Sequence, residues 1–361
     1  MPLDPFNLSI QRVAIIATAA AIVACSVIAP VNLHGQAKTG TPLGSVVSPA
    51  HSPTPSDQDV AQAVKEIAAI GSCGSFIWTW SNGDPEYQLL QTLTTLFREV
   101  GLKVFLQIAP TGIGSPAPPN GLPKTFTDPL TQAQYLNDAA RLAALHPDYL
   151  NLGAEINLMY YLEPAEFNAF IPLYQQAYAI VKQTSPQTQV GVSYHLDLFF
   201  GYNEFNVPAL LGPQDFIGFT TYPAWTVYKG VYPAPDQIAL AYYDRLRIVF
   251  PTQPIVFAEV GWPSGGLSNL SDQNKYMAAL PQYMAKTQPA LVIWVMEHDV
   301  DNFHVSELSQ AQINILLGFN VDPTELFNEL NSMGMLVWDG PPKPAWVTAS
   351  GLVFAAPLSV P

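Results

Sequence analysis

The chain has 361 residues, 49% of them hydrophobic, which is enough to bury a large core and too apolar for a disordered polypeptide. Its 14 Lys and Arg against 28 Asp and Glu leave a net charge of −14, which repels phosphate backbones and anionic headgroups, so no nucleic-acid partner is expected and a neutral one fits better. Two cysteines, Cys25 and Cys73, supply neither a disulfide framework nor a four-thiolate metal site.

The N-terminus reads as an address. Arg12 precedes an apolar run from Val13 to Ala24, of signal-peptide length and short for a membrane span. Ile22-Val-Ala-Cys25 resembles a relaxed bacterial lipobox, in which Cys25 would carry the lipid. Three readings stay open for residues 1–30: a lipoprotein signal, an uncleaved membrane anchor through Pro30, or a cleaved signal peptide. All three predict export to the cell envelope or the medium, with membrane contact confined to this segment. Residues 31–42, with Gly35, Gly40 and Pro42, read as a linker, and 356–361 as a C-terminal tail.

Between them, short apolar segments alternate with longer amphipathic ones. Strands are predicted at Gly44–Ser48, Ser75–Trp80, Lys103–Ala109, Tyr149–Glu155, Gln189–Tyr194, Phe216–Thr221, Pro254–Glu259 and Leu291–Val295. Helical patterns fill Asp57–Ile70, Glu86–Val100, Gln132–Leu145, Pro164–Thr184, Pro235–Val249 and Asp272–Thr287, several opened by Asp or Pro. Eight such strands, with helical patterns between most of them, predict a single (β/α)8 TIM barrel over residues 43–355. No Gly-rich phosphate loop follows the first strand, which argues against a doubly wound open sheet.

In such a barrel the C-terminal strand ends share one mouth, and Glu155 and Glu259 would end strands four and seven, across it from each other. Two carboxylates facing one cavity suit glycosidic-bond cleavage, because one must protonate the leaving oxygen while the other attacks the anomeric carbon or positions water. Repulsion between them opposes joint ionisation, so the pair can hold opposite protonation states. Trp78, Trp80, Trp225, Trp262 and Trp294 fall near the same predicted face, where flat indoles could cover the apolar faces of sugar rings. His195, Asp197 and His51 follow strands five and one; both sugar hydroxyl binding and a structural hydrogen bond remain open for them. The segment Glu297 to His304 contains metal-ligating residue types but matches no zinc or EF-hand spacing, so neither metal nor cofactor is expected. Cys73 reads as a small buried residue, and Gly261-Trp-Pro-Ser-Gly265 misses the nucleophile-elbow spacing by one position.

"FAEVGWPS", Phe257 to Ser264, resembles the nucleophile segment of the clan A retaining β-glycosidases, particularly the endo-β-1,4-galactanases and endo-β-1,3-glucanases. "LGAEIN", Leu152 to Asn157, is similar to their acid/base segment, "IGFTTYPAW", Ile217 to Trp225, to their strand six, and "DGPPKPAW", Asp339 to Trp346, to their closing segment. The resemblance implies Glu259 as nucleophile, Glu155 as acid/base and Tyr222 as the hydrogen-bond partner of Glu259. These families place Asn before the acid/base Glu, to bond the sugar 2-hydroxyl; here that position is Ala154, and Asn157 or Gln107 could substitute. The expectation is an exported retaining glycoside hydrolase acting on a neutral β-linked polysaccharide or oligosaccharide. A transglycosylase using the same two Glu residues and a noncatalytic carbohydrate-binding envelope protein are the alternatives.

Overall fold

The eight apolar segments pair side by side in parallel, each with its sequence neighbour, and the eighth returns to the first to close a barrel. The computed structural model describes residues 42–357, apart from 113, 225–233, 237, 239, 302–303 and 319–320. The readings of the N-terminal segment, Cys25 and Trp225 lie outside the described residues.

The strands are β1 (Leu43–Val46), β2 (Cys73–Thr79), β3 (Lys103–Ala109), β4 (Tyr149–Asn151), β5 (Gln189–His195), β6 (Phe216–Thr221), β7 (Ile255–Val260) and β8 (Leu291–Trp294). The principal helices are α1 (Asp57–Ile70), α2 (Asp84–Glu99), α3 (Pro129–Ala143), α5 (Pro164–Thr184), α8 (Leu240–Val249) and α9 (Leu270–Tyr283). Shorter helices decorate the connections: α4 (Asn157–Leu162), α6 (Leu196–Gly201), α7 (Val207–Leu211), α10 (Gln310–Gly318), α11 (Pro323–Asn331) and α12 (Pro344–Gly351). Helix starts follow local chemistry. Ser56 and Asp59 form a reciprocal capping box on α1, and the Asp128 carboxylate caps α3 ahead of Pro129.

Strand alternation sorts side chains into two cores. Val46, Cys73, Phe105, Phe216, Ala258 and Ile293 fill the barrel interior. Phe76, Trp78, Leu106, Phe219, Phe257 and Trp294 point outward into the larger layer between barrel and helices. Each fully buried large apolar side chain in that layer contributes roughly 1.5–3 kcal/mol. Cys73 is fully buried, and burial pushes its thiol far above the ordinary range, so it is inert packing. Among the described residues no helix is long and apolar enough to cross a membrane.

Past β8 the chain closes the ring. Lys343, 4% exposed, sends its ammonium to Asp299 Oδ1 at 2.6 Å, Ser264 Oγ at 2.8 Å and the Gly334 carbonyl at 2.7 Å. One buried cation thus ties the "DGPPKPAW" segment to the loops following β7 and β8, and explains why a Ser follows "GWP" without any nucleophilic role.

Candidate active site

The site rests on a belt of buried polar side chains inside the barrel. Asn151 donates to Gln107 Oε1 at 2.9 Å and to Ser193 Oγ at 3.0 Å, and Gln107 donates to Ser75 Oγ and the Ala258 carbonyl, both at 3.2 Å. All four side chains are fully buried. The belt therefore links β2, β3, β4, β5 and β7 with directional bonds in a low-dielectric interior, where a satisfied network is rigid.

This belt bends the chain that carries Glu155. Asn151 Oδ1 accepts the Gly153 N–H at 3.0 Å and the Tyr135 hydroxyl donates to the Leu152 carbonyl, so the regular ladder breaks after Asn151, while the Leu152 and Ala154 N–H groups still bond the Gly191 and Ile108 carbonyls at 2.9 and 3.0 Å. β4 consequently ends at Asn151 rather than reaching Glu155 as expected. Glu155 sits in the following turn with φ 52°, a left-handed conformation unusual for a non-glycine residue. Its N–H is held by Ser193 Oγ at 3.2 Å, and Thr220 Oγ1 donates to Glu155 Oε1 at 2.5 Å.

Glu259 reaches the mouth by a different device. In β7, Phe219 of β6 pairs with Phe257, but the next residue, Thr220, pairs with Glu259, leaving Ala258 as an extra residue. The pairing with β8 shifts over the same stretch, between Phe257 and Val260. Strict alternation would send Glu259 outward with Phe257, and Val260 inward with Ala258, whereas Val260 joins Phe257 in the outer layer. The bulge lets Ala258 and Glu259 both face the barrel interior and mouth, the re-aiming that bulges next to sites provide. Tyr222, at the end of β6, donates its phenolic hydroxyl to Glu259 Oε2.

Gly261 makes that contact possible. A Cβ at this position would lie 2.9 Å from the Tyr222 ring and 3.0 Å from Met333 Sδ. Gly261→Ala is therefore expected to push the phenol off Glu259 and lower kcat by about 100-fold, the size typical of losing one charge-stabilising donor. Steady-state kinetics beside Tyr222→Phe checks this: both variants should lose similar activity while keeping the wild-type circular dichroism spectrum.

Burial, followed by the negative charge of Glu155, pushes the Glu259 carboxyl up to about 8, and the Tyr222 hydrogen bond acts in the opposite direction. Burial and the two carboxylates hold the Tyr222 phenol well above its ordinary range, so it stays a donor. At neutral pH the pocket accordingly retains one proton. An apolar cavity of about 170 Å3 reaches Glu259 and Tyr222 from the β1 and β8 side, walled by Val46, Val47, Ile77, Val295 and Met296. A more open cavity of about 600 Å3 lies at the opposite, N-terminal ends of β3 to β5, away from both acids.

Other expected site residues are placed differently. Trp78, Trp80, Trp262 and Trp294 are fully buried, and none offers an indole face to a ligand. Trp80 packs between Phe126 and Tyr135 and donates to Asp138 Oδ2 at 2.9 Å. Trp262 packs on Tyr276 and donates to Ser268, while Trp294 donates to the Met333 carbonyl. The correction follows from parity: Trp78 shares an outward face with Phe76, and Trp294 shares one with Val292. Asn157 and Gln107 do not replace the missing Asn at Ala154. Asn157 is buried, donates to the His195 carbonyl and Glu204, and accepts from the His195 N–H, while Gln107 is committed to the belt. His195 is half-buried, pairs with Thr220 across the β5–β6 ladder, and its Nδ1 has no hydrogen-bond partner. Asp197 accepts from the Tyr242 hydroxyl, and His51 lies away from both acids, between Asp59 and Asp339.

An aromatic surface missed in the sequence is carried in part by the helix that follows Glu155 in the chain. Tyr161 on α4 and Tyr202 after α6 are 44% and 43% exposed, with ring centroids 4.3 Å apart. The missed signal was the tyrosine pair in Met159-Tyr-Tyr-Leu162, directly after the "LGAEIN" segment.

No family model matches the chain, and no curated protein matches it in sequence. Solved structures do match. A GH5_18 variant from Streptomyces cattleya in complex with Manb1-4GlcNAc superposes with a TM-score of 0.66 at 17% identity, over 87% of this chain and 80% of that one. A family 39 glycoside hydrolase from Bacteroides cellulosilyticus gives 0.58 at 16% identity, over 87% of this chain and 64% of that one. The GH53 catalytic domain of Ignisphaera aggregans gives 0.54 at 12% identity, over 81% and 88%. At such identities the likeness is one of fold, and this chain is built on the same (β/α)8 barrel as those three proteins.

Proposed function

We propose that the protein is a retaining glycoside hydrolase of β-linked oligosaccharides or polysaccharides. The observation that carries this reading is a pair of electrostatically coupled carboxylates in one barrel mouth, each with its own hydroxyl donor: Tyr222 on Glu259 and Thr220 on Glu155. Glu259 Oε attacks the anomeric carbon as the bond to the leaving oxygen breaks, and Glu155 gives that oxygen its proton. Glu155 then takes a proton from water, whose oxygen attacks the anomeric carbon and releases Glu259. The reactive form carries the pair's single proton on Glu155 and its charge on Glu259, the arrangement that Tyr222 favours by donating to Glu259. The GH5_18 barrel solved in complex with Manb1-4GlcNAc and the family 39 glycoside hydrolase barrel support a sugar ligand for this mouth.

His195 is assigned to a sugar hydroxyl beside Thr220, and the exposed Tyr161 and Tyr202 pair to stacking on the leaving-group sugar. Tyr161→Ala should raise KM for tetrasaccharides about tenfold while leaving kcat on a small aryl glycoside unchanged, checked by comparing the two substrates. The N-terminal segment is assigned to export.

The function is tested by incubating the protein with β-glucans, β-galactans, β-mannans and aryl β-glycosides and following products by proton NMR. Release of the β-anomer first is expected, and products longer than the substrate would identify transfer to sugar. Binding without cleavage across the whole panel would overturn the hydrolase reading in favour of a noncatalytic carbohydrate-binding protein.

A further inference from the structure

Outside the mouth, one buried cluster of ligating side chains takes no part in the chemistry above. Glu66 on α1 lies against Glu297 and His298, which follow β8. One ligand atom from each residue lies within 4.8 Å of the others. His298 Nε2 is 3.7 Å from Glu66 Oε2, and His298 Nδ1 is 3.7 Å from Glu297 Oε1.

The cluster is short of partners. Glu297 is fully buried, and neither of its carboxylate oxygens has a hydrogen-bond partner. Glu66 Oε2 and His298 Nδ1 also lack one. Among the described residues the ion pairs of both Glu66 and Glu297 are with His298 alone. Isolated buried carboxylates cost several kcal/mol unless a counter-charge or proton meets them, and one imidazole can balance only one of these two acids, so the other calls for a proton or a cation.

The cluster is also prebuilt. The Glu297 carbonyl accepts two backbone N–H groups, from Met335 at 2.8 Å and Leu336 at 2.7 Å. The His298 N–H donates to Ser48 Oγ at 3.0 Å, and that hydroxyl donates back to the His298 carbonyl at 3.2 Å. Gln62 Nε2 donates to Glu66 Oε1 at 2.9 Å, leaving Oε2 directed at His298. The Glu66 side chain is 20% exposed, which gives an ion an entry path.

We propose that Glu66, Glu297 and His298 form a divalent transition-metal site, taking zinc or manganese. One imidazole and two carboxylates are a donor set these ions accept, with water completing the coordination, whereas calcium prefers six to eight oxygens. Ligand distances of about 2.0–2.2 Å in a tetrahedron put neighbouring ligand atoms roughly 3.4 Å apart, so closure on an ion draws the side chains inward by up to about 1 Å. The linear spacing around Glu297 hides the site because its third ligand comes from the first helix. A bound ion would pin α1 to the loop after β8. That loop also carries Met296, and Ser48, which holds His298, lines the same cavity beside Glu259.

The test uses the chelator-treated, dialysed protein titrated separately with zinc chloride and manganese chloride by calorimetry, with melting temperatures recorded in parallel. Wild type should bind one equivalent of at least one ion and melt at a higher temperature in its presence. Glu66→Gln and Glu297→Gln should each bind at least about tenfold more weakly. Glu66 is partly exposed, so its variant should fold even where Glu297→Gln does not. Cobalt(II) should give a visible absorption band that His298→Gln abolishes, a signature that diffuse binding to an acidic surface does not produce. Absence of saturable binding of either ion to wild type, or unchanged affinity in Glu66→Gln, overturns the proposal.

Discussion

Glu259→Gln is expected to lower kcat by at least about 10⁴-fold, because the amide cannot form the ester that divides the reaction into two steps. The fold should survive, since Gln is nearly isosteric and can still accept from Tyr222. Stability supplies a second, independent readout. The folded carboxyl is raised from its ordinary 4.5 to about 8 by burial and by Glu155. A raised folded value means that the native state binds the proton more tightly than the unfolded chain. The Glu259 contribution is therefore fully present below about pH 4.5 and is lost as pH rises through about 8. The Gln variant lacks this loss. Its melting temperature relative to wild type should rise between pH 5 and pH 9, and other buried acids cancel in the difference. A constant offset across that range would show that Glu259 is not raised by its surroundings.

Glu155→Ala should reduce turnover of natural glycosides by about 10²- to 10⁴-fold, the range for losing a general acid and base. The loss should depend on the leaving group. A dinitrophenyl glycoside needs no proton to depart, so the glycosyl ester on Glu259 should form quickly and then persist, because no base activates water. Azide, which needs no base, should restore turnover by attacking the anomeric carbon and displacing Glu259, giving a β-glycosyl azide. Wild-type kcat/KM should fall as pH rises through about 8, where the pair loses the proton that the leaving oxygen requires. An α-glycosyl azide from Glu155→Ala would reverse the two roles.

The barrel was legible because its signal repeats. Lys103–Ala109 and Phe216–Thr221 are strands with the expected ends, and α1 and α5 match their predicted spans. The site departs where tertiary bonds override periodicity. β4 stops at Asn151 because that side chain caps Gly153 and a tyrosine from α3 takes the Leu152 carbonyl, contacts between distant segments that no local pattern encodes. The Ala258 bulge likewise depends on how β6 and β8 pair with β7. The tryptophans were misplaced for a simpler reason. Their position near strand ends was given more weight than their parity, which they share with the outward core. Short loop helices such as α4 and α6 carry too few residues for a 3.6-residue period to emerge, and with them the Tyr161 and Tyr202 surface was overlooked.

The shared role of Glu155 and Glu259 is tested most directly by trapping the intermediate. An activated 2-deoxy-2-fluoro β-glycoside, of whichever sugar the enzyme hydrolyses, slows both steps but leaves good departure of the aglycone. Peptide mass spectrometry should then find one glycosyl group on the Phe257-to-Ser264 segment, esterified to Glu259, with none formed in Glu259→Gln. An adduct on any other side chain, or unimpaired hydrolysis by Glu259→Gln, would contradict it.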